Sequence, residues 1–203
     1  QLTFNNPPDF ENKIDSNTNG IYSIYVKATD STSNSSTQWV EVTVADVDEI
    51  APNITGPSGS AGDATSTKSI DENTTAVHTF SANETVTWSL NGGADASKFS
   101  INSSTGALTF SSAPNYESPT DTNSDNDYIV VVRATDSIGN TSDQTATISI
   151  NGVNETPTNI SLSSSSFNEN IASSSTVATL SSSDPDTSDA HTYSLVSGSG
   201  DTD

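Results

Sequence analysis

The side chains of this chain best suited to chemistry are acids and amides: Asp9, Glu11, Asp46, Asp48, Glu49, Glu72, Glu84, Asn115, Glu117, Asp136, Asn154, Glu155, Asp184 and Asp186. They come in short clusters flanked by turn-forming residues and offer only hard oxygen donors. Gathered carboxylates repel one another unless a cation sits among them. Calcium suits such a set, because it takes about six to eight oxygen ligands at roughly 2.3–2.6 Å and needs neither nitrogen nor sulfur. Cysteine is absent and the two histidines, His78 and His191, stand apart in sequence, so no zinc set is present.

Charge and composition narrow the rest. With 26 acidic and five basic residues, net charge −21, the chain repels nucleic acid and anionic membrane surfaces. No apolar run approaches the roughly 20 residues of a membrane span, and no signal peptide is recognisable. Gly56-Pro57-Ser58-Gly59-Ser60 lacks the spacing of a nucleophile elbow and has no accompanying base, so the chain is read as non-enzymatic. Asp15 to Gly20 and Asp121 to Asp127 resemble EF-hand loops in their first positions. The twelfth position, which should be a bidentate Glu, is Val26 or Val132, and they read as solvated turns. The N-x-S/T triplets are expected by chance in so Asn- and Ser-rich a chain.

The elements that position the acids are strands. Ile21 to Val26, Val40 to Val44, Val86 to Leu90, Tyr128 to Val132 and Thr145 to Ile150 are β-branched or aromatic runs bounded by turn residues, with Ser and Thr at the outward positions. They belong to a repeat. Residues 2–54 recur without a gap at 108–160, a register of 106 (108 − 2), with about 20 of 53 positions identical. The earlier half recurs as well: Ser69 to Asn73 is echoed by Ser166 to Asn170, Trp88-Ser89-Leu90 by Tyr193-Ser194-Leu195, and Gly92 and Asp95 by Gly198 and Asp201. The expected organisation is the later half of one module at 1–51, a complete module at 52–157 and the beginning of a third at 158–203. Neither partial module can close a core from its own residues.

In the complete module, strands are expected at 65–70, 75–82, 86–91, 98–102, 107–111, 128–135 and 144–151, an all-β, seven-stranded, Greek-key, Ig-like sandwich. Trp88 is expected in its core; Trp39, whose counterpart is Thr145, is read as packed, with cover of an exposed patch or a partner contact as the alternative. Antiparallel strands alternate direction, so the direction of each strand decides which turns share a pole. Glu72 and the Asn115/Glu117 loop fall at the pole where the chain leaves through Asn154 and Glu155, facing Asp184 and Asp186 of the next module. The preceding joint gathers Asp9, Glu11, Asp46, Asp48, Glu49 and Asp136. There Asn83-Glu84 stands in place of Asp184-Pro185-Asp186, a poorer pair, so fewer or weaker ions are expected at the first joint.

These residues resemble the cadherin repeat, in particular the bacterial cadherin-like tandem modules of large surface proteins. Asp46-Val47-Asp48-Glu49-Ile50-Ala51-Pro52 is similar to the family's DxNDNxP connector, and Gly152 to Pro157 is a shorter copy. Asp9-Phe10-Glu11 and Asn115-Tyr116-Glu117 resemble its DRE/DYE motif, Glu72 and Glu169 its base-strand glutamate, Asp30 and Asp136 the aspartate ending a late strand, and Asp184-Pro185-Asp186 its DxD motif. The resemblance implies calcium between successive modules, an extracellular cell-surface location, and adhesion or a stalk role, with other copies, surface proteins or glycans as partners. Two alternatives stand beside it: a carbohydrate-binding or accessory module of a secreted enzyme, which requires exposed aromatics on a sheet face, and a structural repeat of a filament or surface layer.

Overall fold

In a computed structural model, which describes residues 1–196, the strands are β1 (Ile21–Thr29), β2 (Ser35–Thr43), β3 (Ile54–Thr55), β4 (Thr65–Asp71), β5 (Ala76–Thr79), β6 (Ser81–Ala82), β7 (Thr87–Leu90), β8 (Phe99–Ile101), β9 (Ala107–Phe110), β10 (Asp127–Thr135), β11 (Thr141–Asn151), β12 (Thr158–Leu162) and β13 (Leu180–Ser183). Ala96–Lys98 forms one 3-10 turn. Gly198 and Asp201, echoes of Gly92 and Asp95, lie outside the described residues.

Between Ile54 and Asn151 the chain is an Ig-like β-sandwich. One sheet has the order β4-β11-β10-β7 and the other β5-β9-β8, while β3 pairs with β6. β4 runs parallel to β11 over Thr65 to Asp71, and β10 is antiparallel to both β11 and β7. Alternation sets the inward face: Tyr128, Val130, Val132 and Ala134 of β10 and Gln144, Ala146, Ile148 and Ile150 of β11 are buried. Phe99, Phe110 and Tyr128 meet from the opposing sheets, the Phe110 and Tyr128 ring centroids 5.1 Å apart and edge to face. The Tyr128 hydroxyl accepts a hydrogen bond from the Thr120 N–H at 3.0 Å, pinning the incoming loop to the strand start. Trp88 is buried, as expected.

The expected strand at 75–82 is two strands. β5 pairs with β9 and β6 with β3, and between them buried Phe80 donates its N–H to the Gly106 carbonyl. The chain therefore crosses from one sheet to a separate edge at Phe80. Gly106 makes this possible, since at φ +72° a Cβ there would lie 2.5 Å from the Phe80 carbonyl oxygen. β3 was not expected; two residues carry no alternation to read.

The flanking hairpins are thinner. β1 pairs with β2 and β12 with β13, and the buried core lies between Ile54 and Ile150. Phe4 and Tyr22 repeat the Phe110 and Tyr128 pair, edge to face at 5.0 Å, but Phe4 is 43 % exposed. Trp39 is 48 % exposed rather than packed inside, and its counterpart in the repeat, Thr145, lies between the buried Gln144 and Ala146 on the outward side of β11.

Candidate metal centre

Strand ends carry the acids to the two poles of the sandwich. Glu72 follows β4 directly, and its N–H bonds the Asn151 carbonyl at the end of β11. It is 2 % exposed, and both carboxylate oxygens accept backbone N–H groups at 2.8 Å: Oε2 from Tyr116 and Oε1 from Val153. A single buried side chain thus ties the loop bearing Glu117 to the connector bearing Glu155. Glu72, Glu117 and Glu155 each place an oxygen within 4.8 Å of the others. Burial, followed by the charges of Glu117, Glu72 and Asp186, pushes the Glu155 carboxyl above its ordinary value. Its Oε2 is buried without a hydrogen-bond partner.

The segment after β13 reaches this cluster through Asp186, whose Oδ2 accepts the Glu155 N–H at 2.7 Å. Asp184 bonds the Asp186 N–H through Oδ1, and its Oδ2 lies 3.1 Å from His191 Nε2. His191 Nδ1 in turn lies 2.6 Å from Ser182 Oγ. His191 is therefore not isolated; the turn between β13 and residue 191 brings it back onto Asp184. Asn115 and Asn154 make local hydrogen bonds. Asn115 Oδ1 accepts the Ser118 N–H, and the Asn154 amide donates to the Glu155 carbonyl.

At Gly152, where the other connector has Asp46, the Tyr116 ring occupies the space, and a Cβ would meet its Cδ1 at 3.0 Å. The shorter connector thus accommodates an aromatic ring at the position of a lost carboxylate.

The first joint brings together two triplets of carboxylates. Glu11, Asp46 and Glu49 form one, and Asp48, Glu84 and Asp136 the other, each within 4.8 Å. Here Glu84 reaches Asp48 and Asp136, while Asn83 takes another task and accepts the Asn53 N–H at 2.6 Å. The Glu11 backbone hydrogen bond favours its charged form, but burial, a hydrogen bond with Asp46 and the charges of Asp46 and Glu49 outweigh it, and the carboxyl is raised. Asp136 behaves oppositely. Burial pushes it up, but the Asn140 amide and the N–H groups of Gly139, Asn140 and Ile138 together hold it below its ordinary value. Asp9 lies apart from both triplets, with Oδ1 accepting the Glu11 and Asn12 N–H groups.

Asn140 is a participant that spacing alone did not single out. Its amide donates to Asp136 Oδ2 and to the Asp48 carbonyl, both at 2.8 Å, fastening the connector to the sandwich. The available signal was repetition, because Asp30 and Asn34 form the same four-residue turn one register earlier. Asp15 and Asp121 are turn-forming acids; each accepts two N–H groups four and five residues on, and both are buried, so the acids close their turns from within instead of facing solvent as expected.

Oxygens bound to one calcium ion lie at most about 5.2 Å apart, twice the longest usual bond. All three triplets meet that limit. Glu155 and Glu11 are both raised, desolvation being the leading raising cause in each and neighbouring carboxylates adding to it, and Glu155 Oε2 has no hydrogen-bond partner.

No family model and no curated protein matches the chain. Among solved structures, it is similar to the Protocadherin GammaB4 extracellular domain (20 % identity, TM-score 0.47, 86 % of this chain and 28 % of that one). It is also similar to human CDH23 EC21-23 (18 % identity, TM-score 0.45, 82 % and 54 %) and to Protocadherin gammaB7 EC3-6 (16 %, 0.43, 76 % and 38 %). The chain spans between 28 % and 54 % of the length of these proteins.

Proposed function

We propose that this chain is a segment of an extracellular, cadherin-like tandem array whose joints bind calcium and stiffen when they do, serving as a stalk or adhesive element at a cell surface. Its units are residues 1–51, 52–157 and 158–203. The observation that carries this reading is the gathering of carboxylates at both joints, with oxygens within 4.8 Å and one of them buried and unpartnered.

Glu11, Asp46 and Glu49, and Asp48, Glu84 and Asp136, would hold ions at the first joint; Glu72, Glu117 and Glu155 would hold one at the second, with Asp184 and Asp186 supplying the far side. The ion neutralises charge that otherwise pushes the modules apart, and alignment gains the binding free energy. Glu72 acts before any ion arrives, since its two backbone hydrogen bonds already set the loop and connector in place.

Calorimetric titration of the chain with calcium is expected to give a heat that Glu117→Ala diminishes at one joint and Glu11→Ala at the other. No heat in the unmodified chain would end the proposal.

A further inference from the structure

At an Asn-Gly pair the chain can react with itself, because the glycine nitrogen, unshielded by a neighbouring Cβ, reaches the asparagine Cγ and closes a cyclic imide. The sequence holds three such pairs: Asn19-Gly20, Asn91-Gly92 and Asn151-Gly152. All three asparagines are exposed, so access of water does not distinguish them. Closure turns the peptide group between Asn and Gly about the Asn Cα–C bond. A hydrogen bond that holds that group's C=O or N–H therefore holds back the reaction.

At the first pair the N–H is held, since Gly20 donates it to Asp15 Oδ1 at 3.1 Å. The complete module makes the same bond from Asn126 to Asp121 at 3.3 Å, so it belongs to the repeated turn. At the third pair the C=O is held, since Asn151 accepts the Glu72 N–H at 3.0 Å, and the Tyr116 ring packs against Gly152. At the second pair, which lies within the complete sandwich, neither the Asn91 C=O nor the Gly92 N–H has a partner among the described residues.

The groups on either side are anchored instead. The Asn91 N–H donates to the Val131 carbonyl and the Gly92 carbonyl accepts the Val131 N–H, both at 2.8 Å. The peptide plane between them can swing as a crank between two fixed ends. Gly92 does not oppose it, being exposed at φ +110° with no atom within 4 Å of where a Cβ would stand. The side chains are tethered alike: Asn91 Nδ2 donates to Asp143 Oδ2 at 3.0 Å, and Asn151 Nδ2 to Asp71 Oδ1 at 3.2 Å. The peptide group thus decides between these two sites.

We propose that Asn91 is a modification site, deamidating spontaneously to aspartate and isoaspartate in the folded chain while Asn19 and Asn151 are protected. The Gly92 nitrogen forms a bond to Asn91 Cγ, the Cγ–Nδ2 bond breaks, and ammonia leaves with the proton given up by Gly92. Water then adds to either imide carbonyl. Breaking the new Cγ–N bond gives aspartate, and breaking the original peptide C–N bond gives isoaspartate. Both products replace a donor beside Asp143 with a second carboxylate. Isoaspartate also inserts the side-chain methylene between the two hydrogen bonds to Val131, so the chain leaving β7 loses its register with β10. None of the residues assigned to calcium takes part, and the inference goes beyond the stiffening reading.

The test is incubation of the full 203-residue chain in mildly alkaline buffer with chelator, folded and in denaturant, followed by digestion in acid and peptide mapping by mass spectrometry. Isoaspartate is read separately by labelling with an isoaspartyl carboxyl methyltransferase. In the folded chain Asn91 is expected to convert about tenfold or more faster than Asn19 or Asn151, whose reaction must wait for local opening. In denaturant the three rates should converge, since glycine follows each. Asn91→Gln is expected to remove most of the methyl label from the folded chain, with circular dichroism unchanged. A folded-state rate at Asn91 no greater than at either other site would overturn the proposal, as would the same ratio of rates in denaturant.

Discussion

Glu72 shows how one side chain can serve stability and assembly together. Its carboxylate accepts two backbone hydrogen bonds from segments that carry other acids, at 2 % exposure. Glu72→Gln turns one acceptor into a donor facing an N–H, and leaving a buried N–H unpaired costs about 1–3 kcal/mol. Thermal unfolding in excess chelator is the measurement, because it isolates this loss from any effect on calcium. Acidity acts at both joints, since Glu11 at the first is raised as Glu155 is at the second. Glu155 is raised above its ordinary 4.5, so its contribution favours the folded chain below that value and is lost as pH rises through the raised one. In chelator, the protein is expected to melt higher near pH 5 than at pH 7. In calcium the ordering changes: protons compete for Glu155 first, and affinity at the second joint falls on acidification over the same interval. Asp136 is held below 3.8, so its contribution persists above that value and disappears only in stronger acid. A melting temperature insensitive to pH between 5 and 7 in chelator would contradict the assignment of charge strain to Glu155.

Among the elements, the paired aromatics make a controlled comparison inside one chain. Phe110 against Tyr128 and Phe4 against Tyr22 have nearly the same geometry, at 5.1 and 5.0 Å, but Phe110 is 4 % exposed and Phe4 43 %. Phe110→Ala is expected to cost about 3–5 kcal/mol, as truncation of a buried aromatic does; Phe4→Ala should cost under about 1 kcal/mol. Denaturant unfolding of the two variants measures the difference. The long strands are legible in the sequence because Tyr128 to Val132 is an unbroken aromatic and β-branched run and Thr145 to Ile150 alternates. The break at Phe80 is not, since what breaks the strand is a hydrogen bond to Gly106, distant in sequence, rather than a local residue preference. The site divides in the same way. Strand direction brought Glu72, Glu117 and Glu155 to one pole, a consequence of topology that spacing can reveal. The Tyr116 ring over Gly152 and the Asn140 bridge to Asp48 depend on side-chain reach across a joint, which periodicity does not encode. Trp39 is ambiguous in sequence because its aromatic type favours packing while its counterpart Thr145 favours an outward position, and its exposure follows the counterpart.

At the scale of the molecule, the proposed stiffening predicts that net charge −21 and the acids at both joints make extension depend on the medium. Solution scattering is expected to show a larger and better-defined maximum dimension in excess calcium than in chelator; equal dimensions would remove the stiffening idea while leaving ion binding intact. Salt screens the repulsion between exposed charges over about 10 Å at 0.1 M, so raising ionic strength in chelator should narrow the difference.

The parallel pairing of β4 with β11 has a mechanical consequence for a stalk. A pull applied between the first connector and the end of β11 draws the two strands past each other along their length, loading the ladder from Thr65 to Asp71 in shear, so its hydrogen bonds must yield together. The two-residue patch of β3 on β6 lies nearer the first connector and comes under tension sooner. Under load the sandwich would therefore give way in two stages, a short compliant extension as Ile54 and Thr55 come free, followed by a stiff refusal until the β4 seam tears.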